Sequence, residues 1–198
     1  MTQKRVKSIM LIFVICSYLL FQVSDFYDWG LDKDSKSLLG LSGDHATVEW
    51  VSIYDDPEPY NWDEAYDVEI DSSGNVYCVG GSIRDMILVK YNSKGDYILN
   101  RTWHPGSDYA EAKAVALDSS NNIYVAGQVN LREDMFLIKY NSDCEFQWVR
   151  IWGGSQEDPC WDMAIDSSDN IYIAGGTESF SVGDCDFCVV KYDSSGNQ

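Results

Sequence analysis

The sequence is short of histidine, proline and positive charge. Its 198 residues include 2 His and 4 Pro, and 14 Lys and Arg stand against 32 Asp and Glu, for a net charge of −18. Two histidines are few for a His-based catalytic triad or a zinc site. A chain with this much negative charge is repelled by the phosphate backbone of a nucleic acid. The low proline content, with only 15 Gly, excludes collagen-like and low-complexity classes. We therefore expect no nucleic-acid partner.

A helical period is also missing. No window carries apolar residues at the 3.6-residue spacing of an amphipathic helix, so no glycine-rich phosphate loop opens a helix. Acidic residues are plentiful, but abundance does not place a carboxylate pair across a substrate. We predict that the chain is not an enzyme and has no catalytic residue, no metal ligand and no cofactor. Apolar residues at 45% and aromatic residues at 14% nevertheless predict a folded protein.

The N-terminal 24 residues have the pattern of an export signal. Lys4, Arg5 and Lys7 precede an apolar run that extends from Ile9 to Val23, 15 residues long. A membrane-spanning helix needs about 20 residues. We predict that residues 1–24 are a secretory signal peptide or an N-terminal anchor that meets the membrane. Residues 25–45 have no apolar period and are expected to be a linker, so the protein is predicted to be extracellular or at the cell surface.

The rest of the chain, residues 46–198, is a tandem repeat. The segment Asp-Ser-Ser-Gly-Asn-Val-Tyr begins at Asp71, and close copies of it begin at Asp118 and Asp166, which gives steps of 47 and 48 residues. Further features recur at the same period: the glycines at 80, 127 and 175, the Lys-Tyr pairs at 90–91, 139–140 and 191–192, and the aromatic residues Tyr54, Trp103 and Trp152. Agreement among independent positions indicates about three units of roughly 49 residues.

Each unit is predicted to hold four short strands. In the first unit they are Ala65–Asp71, Asn75–Ser82, Met86–Asn92 and Tyr97–Trp103, joined by turns rich in Ser, Gly and Asn. Strict alternation along the first strand predicts a bulky face and a face of mostly small residues. The bulky face would hold Val68, Val115, Met163, Ile70, Leu117 and Ile165; the small face would hold Ala65, Ala112, Cys160, Asp67, Ala114, Asp162, Glu69, Ala116 and Ala164. Four antiparallel strands with this asymmetry predict an all-β fold of β-propeller blades.

The repeated segments resemble the SBBP β-propeller repeat. The resemblance covers residues 46–198 and rests on the Asp-Ser-Ser-Gly-Asn turn, the Tyr and Gly-Gly that follow it, and the Lys-Tyr strand. It implies a propeller of a kind found in secreted and surface proteins of bacteria and archaea, and it says little about activity. Ala46–Tyr54 aligns with the fourth strand of a unit, whereas the third unit stops before its own fourth strand. We expect an incomplete ring, either a truncated propeller or one completed by another chain.

Three sets of residues have two interpretations. Asp71, Ser73 and Asn75, with their repeats, either cap their own turns or offer oxygen ligands to calcium. Asp85, Asp134 and Asp186 either pair with Lys90, Lys139 and Lys191 or form a ligand ring with them. Cys160 and Cys78 replace small or apolar residues of other units and are expected to be packed in the core. Cys144 could instead form a disulfide with a later cysteine, and Cys185 and Cys188 lack the partners of a zinc site.

The predicted function is that of a cell-surface binding or adhesion scaffold without chemistry of its own. Its partner would be a protein or a glycan, and self-association through the incomplete third unit is a further possibility. The segments that differ between units, Asp55–Glu64 and Thr177–Cys185, are the expected contact surfaces. Trp50, Trp148 and the periodic aromatic residues are expected to pack between sheets. The alternatives are a structural component of the cell envelope and the propeller part of a larger secreted enzyme.

Overall fold

The computed structural model describes residues 48–55, 62–82, 84–106, 109–129 and 134–198. These residues belong to one compact unit, Thr47–Gln198, and none of them is helical. The described part of the chain therefore contains no helix with the length and hydrophobicity that crossing a membrane requires. The predicted leader, the predicted linker and His45 lie outside the described residues.

In the described part of the chain, eleven strands form three antiparallel sheets. The strands are β1 (Glu64–Ile70), β2 (Val76–Gly81), β3 (Met86–Tyr91), β4 (Tyr97–Trp103), β5 (Ala110–Leu117), β6 (Ile123–Val129), β7 (Asp134–Tyr140), β8 (Phe146–Trp152), β9 (Cys160–Ile165), β10 (Ile171–Thr177) and β11 (Asp186–Tyr192). Sheet A pairs β1 to β4 in chain order, sheet B pairs β5 to β8 likewise, and sheet C pairs β9, β10 and β11. The predicted all-β fold and its four-stranded antiparallel unit are confirmed.

The same type of turn joins the first and second strands of every sheet described. The side chain of its first residue, an aspartate, accepts hydrogen bonds from the backbone of the turn. Asp71 Oδ1 accepts the backbone N–H groups of Ser73 and Asn75 at 2.9 Å, and Asn75 Nδ2 donates to Asp71 Oδ2 at 2.8 Å. Gly74 completes the turn at a φ of 81°, in the left-handed region that glycine tolerates. Desolvation raises the pKa of Asp71, but the hydrogen bonds from Asn75 and Ser73 outweigh it, and the net shift is downward. The same contacts recur in the turns that begin at Asp118 and Asp166.

The turn between β3 and β4 uses the same geometry with acid and amide exchanged. Asn92 Oδ1 accepts the backbone N–H groups of Lys94 at 2.9 Å and Asp96 at 3.0 Å, and Asn92 Nδ2 donates to Asp96 Oδ2 at 3.0 Å. The turn that begins at Asn141 repeats this arrangement with Glu145 in the fifth position. The turn thus needs one carboxylate and one amide across it, in either order.

A β-bulge interrupts the first strand of every sheet. In sheet A it lies between Ala65 and Asp67, and the equivalent shifts occur in sheets B and C. Because of the extra residue, the side chains that precede the bulge lie on the opposite face of the sheet from the one that strict alternation gives. The expectation that Ala65, Ala112 and Cys160 lie on the small-residue face is therefore wrong. Ala112 packs in the cluster that holds Val115, whereas Ala114 belongs to the cluster on the opposite face.

Close approach of the first strand explains the recurrent glycine of the second. A Cβ on Gly80 would lie 1.7 Å from the backbone oxygen of Glu64, and one on Gly127 would lie 2.1 Å from that of Glu111. In sheet C the equivalent distance, from Gly175 to the oxygen of Pro159, is 2.0 Å. No side chain fits in these gaps, so glycine is required where the second strand pairs with the start of the first strand.

The three sheets stack face to face in the order A, B, C. We call the face of sheet A that carries Met86 and Leu88 its front face, and the face that carries Ile87 and Val89 its back face. The front faces of sheets B and C carry Met135, Leu137, Phe187 and Val189, and their back faces carry Phe136, Ile138, Cys188 and Val190. The front of sheet A packs on the back of sheet B, and the front of sheet B packs on the back of sheet C. Hydrophobic burial between the sheets is thus the main source of stability.

Residues 48–55 lie against the back face of sheet A but form no strand. Tyr54 packs on the cluster of Ile87, Val89 and Tyr91. The position of a Cβ on Gly95 is 2.7 Å from Trp50, and that of Gly196 is 3.1 Å from Trp148 of β8. Residues 48–55 therefore occupy the position on sheet A that β8 occupies on sheet C. This position agrees with the alignment of the segment with the fourth strand of a unit. The predicted strand itself is not found, because no third strand lies beside it among the described residues.

Exchange of the acid and the amide across one turn should test this geometry. Asn75→Asp places two carboxylates opposite each other and should lower the free energy of unfolding by about 1–2 kcal/mol at neutral pH. The double variant Asp71→Asn/Asn75→Asp should restore most of this loss, as in the turn at Asn92. Because the paired carboxylates share a raised pKa, the loss should shrink as the pH falls and one of them is protonated.

Urea unfolding of the single and double variants measures the coupling between the two positions. Ser72→Asp is the control, since it adds the same charge to an exposed position of the turn. A double variant that is less stable than Asn75→Asp alone would contradict the exchange of roles.

Candidate functional site

The connections that differ between the units lie at one end of the sheets. Antiparallel pairing puts the tight capped turns at one end and the connections β2–β3, β4–β5, β6–β7, β8–β9 and β10–β11 at the other. Both segments expected to be contact surfaces, Asp55–Glu64 and Thr177–Cys185, belong to this loop end, although residues 56–61 lie outside the described residues. Variation between repeats that share one framework is typical of a binding surface.

A cavity of about 190 Å³ lies at the loop end between sheets A and B. We call it the loop-end pocket; it is lined by Trp62, Glu64, Tyr66, Gly81, Ser82, Tyr109 and Glu111. Trp62 is 78% exposed, whereas Glu111 is 7% exposed. The pocket thus combines an accessible aromatic rim with a buried carboxylate, a combination suited to holding a small polar group.

Hydrogen bonds and an ion pair fix the walls of the loop-end pocket. The ammonium of Lys113 lies 2.6 Å from Glu111 Oε2 and 4.0 Å from the centre of the Tyr66 ring. Gln128 Nε2 donates to Glu111 Oε2 at 3.3 Å, and the Tyr66 hydroxyl donates to Glu64 Oε2 at 2.5 Å. The contact of Lys113 with the Tyr66 ring links sheet B to sheet A, and the other three contacts lie within one sheet.

The pocket carries excess negative charge. Burial is the main cause that raises the pKa of Tyr66, and hydrogen bonds to Glu111 and Glu64 raise it further. Burial and the charges of the same two glutamates raise the pKa of Tyr109. Both phenols are therefore neutral at physiological pH. Among the described residues the ion pair at the pocket is that of Lys113 with Glu111, and Glu64 is a second acidic side chain in the lining. A further cation is the charge that would balance this site.

The bulges place the side chains of the pocket. Tyr66 and Lys113 are the extra residues of the bulges in β1 and β5, and Trp161 is the extra residue in β9. Bulges redirect side chains and are frequent beside functional sites. The sequence analysis did not identify this pocket. One signal was present, since the three equivalent positions hold Tyr, Lys and Trp while their neighbours in the strand repeat.

Asp158 anchors the second variable segment at the same end of the molecule. It is fully buried, and both of its oxygens accept hydrogen bonds from the loop that follows β10. Thr177 Oγ1 donates to Oδ1, Ser179 Oγ donates to Oδ2 at 2.7 Å, and the backbone N–H of Gly154 donates to Oδ2 at 2.8 Å. Desolvation raises the pKa of Asp158, but these donors outweigh it and lower the pKa overall. The loop holds Phe180 and Val182 in solvent.

The Asp-Ser-Ser turns have the contacts of the capping interpretation. Both oxygens of Asp71 accept hydrogen bonds from within the turn, and hydrogen bonds from Asn170 lower the pKa of Asp166 to about 2. Among the described residues no group of three or more His, Cys, Asp or Glu side chains has metal-binding geometry. The carboxylate that calcium would need is thus already used by the backbone in each turn.

The repeated lysines lie over tyrosine rings, and Lys139 also pairs with Asp118 Oδ2 across 4.0 Å. Lys90, Lys139 and Lys191 lie 4.9, 4.9 and 5.2 Å from the ring centres of Tyr77, Tyr124 and Tyr172. Asp85 instead pairs with His104 across 2.6 Å. The recurrent lysine therefore has a structural role in each sheet, packing its ammonium on the tyrosine of the neighbouring strand.

The five described cysteines are free thiols. Cys160 is buried in the cluster between sheets B and C, as expected, and Cys78 is half-buried on the back face of sheet A. Cys144 is buried in the turn before β8, in the left-handed conformation, and forms no disulfide. Cys185 is exposed and Cys188 half-buried. The predicted packing of Trp103, Trp148 and Trp152 between sheets is confirmed.

No family model and no curated protein matches the chain. The resemblance to the SBBP repeat accordingly stays a prediction.

Removal of the Asp158 carboxylate should loosen the loop that follows β10. Asp158→Ala leaves the donors of Thr177 and Ser179 without their acceptor and should cost about 2–3 kcal/mol of stability at neutral pH. Because folding lowers the pKa of Asp158, its contribution is present above the unfolded value of about 3.9 and is lost as the pH falls through the lower folded value.

Urea unfolding at neutral and acidic pH, compared with the wild type, measures this contribution. Asp184→Ala in the same exposed loop is the matched control and should have little effect. An Asp158→Ala loss that is equally large at acidic pH would contradict the role of the ionised carboxylate.

Proposed function

We propose that sheets A, B and C are blades of a β-propeller of the SBBP kind. The repeat period and the common strand order support this proposal. The packing supports it too, because β1 and β2 lie beside β5, and β5 and β6 lie beside β9, so the first strands lie close together. Such crowding of first strands is what blades arranged around a common axis require.

The propeller serves as an exported scaffold that binds a partner at the cell surface without catalysing a reaction. The leader predicted from residues 1–24 supports export, and the acidic composition favours partners with positive charge. The observation that carries the proposal is the loop-end pocket, in which aromatic rings and two glutamates meet between sheets A and B.

The group that this pocket binds is cationic. Lys113 provides an example within the chain, since its ammonium contacts both the Tyr66 ring and the Glu111 carboxylate. Glu64 is exposed, and Trp62 beside it offers an open aromatic face. An ammonium or guanidinium group of a basic protein segment would contact an aromatic ring and a carboxylate together, the combination that stabilises a cation at a partly desolvated site.

A labelled tetralysine peptide is a suitable probe of the loop-end pocket. Glu64→Gln and Trp62→Ala should each weaken its binding by about tenfold, because each removes one of the two contacts to the cation. Fluorescence anisotropy at physiological salt measures the dissociation constant, and tetraglutamate should not bind.

The matched control is Glu49→Gln, which removes the same charge from an exposed residue outside the pocket. Equal weakening by Glu64→Gln and Glu49→Gln would show that only the net charge attracts the peptide. Binding of a neutral oligosaccharide through Trp62, insensitive to Glu64→Gln, would replace the cationic ligand with a glycan.

A structural role in the cell envelope is the second candidate. The observation that favours it is the exposure of large apolar side chains on the outer faces of sheets A and C, since a component of an assembly needs surfaces that contact other chains.

A further inference from the structure

Two sheet faces in the described part of the chain are apolar and open. On the front of sheet C, Phe187 is 79% and Val189 is 52% exposed, although the equivalent residues of sheet A, Met86 and Leu88, are fully buried. On the back of sheet A, Val68 is 44% exposed, whereas Val115 at the same place in sheet B is 4% exposed. The open back face forms a cavity of about 270 Å³ that Val68, Val76 and Cys78 help to line. Exposed apolar areas of this kind mark interaction surfaces.

The two open faces are of complementary types. Both interfaces inside the molecule press the front face of one sheet onto the back face of the next. Sheet C leaves its front face open, and sheet A leaves open the part of its back face around Val68 that residues 48–55 do not cover. A front face placed on a back face would continue the stack with the geometry that the chain already uses twice.

A polar contact of the internal interface is also unmatched on sheet C. Asp67 of β1 accepts the backbone N–H of Val115 in sheet B through Oδ2, at 2.8 Å. Asp162 holds the same position in β9 and makes the same local bond, accepting the N–H of Met163 through Oδ1. Its carboxylate is exposed on the open front face. It is therefore placed to accept a backbone N–H from a sheet that covers this face.

The edge of sheet C matches residues 48–55 of another molecule. Strand β11 lies at the edge of sheet C, with β10 on its other side. Residues 48–55 lie on the back of sheet A as β8 lies on the back of sheet C. When sheet A of one copy covers sheet C of another, this segment comes alongside β11 and can pair with it as a fourth strand.

The geometry points to a second copy of this chain as the occupant of both open faces. Sheet C of each copy packs front to back on sheet A of the other, and residues 48–55 of each copy complete the sheet C of its partner. The described residues of two copies supply six sheets in this way, three from each copy. Closed propellers contain about four to eight blades. This assembly does not depend on what binds in the loop-end pocket.

Sedimentation velocity of the full chain should give a mass twice that of one chain at micromolar concentration. Phe187→Asp and Val68→Asp each place a charge on one open face and should each give monomers. A mixture of these two variants should recover a dimer with one copy of each, because it retains one intact front face and one intact back face.

The matched control is Val182→Asp, which changes a fully exposed apolar residue outside both faces and should leave the dimer intact. Circular dichroism should show that all three variants keep the fold, since each altered side chain is exposed in the single chain. Asp162→Ala should weaken the dimer without lowering the stability of the monomer.

Three results would overturn the inference. A monomeric wild type would leave both faces for a different chain. A Val68→Asp variant that still dimerises would indicate a contact between two front faces, and no recovery on mixing would exclude the front-to-back arrangement.

Discussion

Each sheet of this protein carries large apolar side chains on both faces, so each face needs a cover. In sheet B both covers are present, and every residue of β6 is buried. Sheets A and C each have one face against sheet B. The other face is open in sheet C and partly covered by residues 48–55 in sheet A. Burying a Leu, Phe or Met side chain is worth roughly 1.5–3 kcal/mol, which is a large part of the stability of a small domain. The stack of sheets, and not the single sheet, is therefore the stable unit.

The pairing of the first strand with the second depends on a glycine in the second strand and on the bulge in the first. Gly80 and Gly127 let the backbone of the first strand pass at a distance that any Cβ would prevent. The bulge then moves Ala65 and Ala112 to the back face and directs Tyr66 into the loop-end pocket, where Lys113 contacts its ring. One local distortion thus shapes the interface between the sheets and supplies the side chains of the loop-end pocket.

The sequence predicted those features of the fold that depend on residues close together in the chain. Tyr97–Trp103 is a strand with the expected limits, because alternation and turn residues act over a few positions. The faces of Ala65 and Ala112 were assigned wrongly, because strict alternation fails at a bulge that only the pairing reveals. Residues 48–55 have the composition of a strand, but no strand of the described part of the chain pairs with them. The loop-end pocket joins Tyr66 to Glu111, side chains of different units, so no single unit contains its pattern.

The differences between units show why a cationic site is expected at one junction only. The position that holds Glu64 in the first unit and Glu111 in the second holds Pro159 in the third, and the bulge position changes from Tyr66 and Lys113 to Trp161. The junction of sheets A and B thus has two carboxylates, whereas Pro159 gives the junction of sheets B and C no carboxylate at this position. Positions that every unit shares maintain the stack, and positions that differ can hold a ligand without disturbing it. The binding chemistry that we propose therefore resides in the places where the repeat is broken.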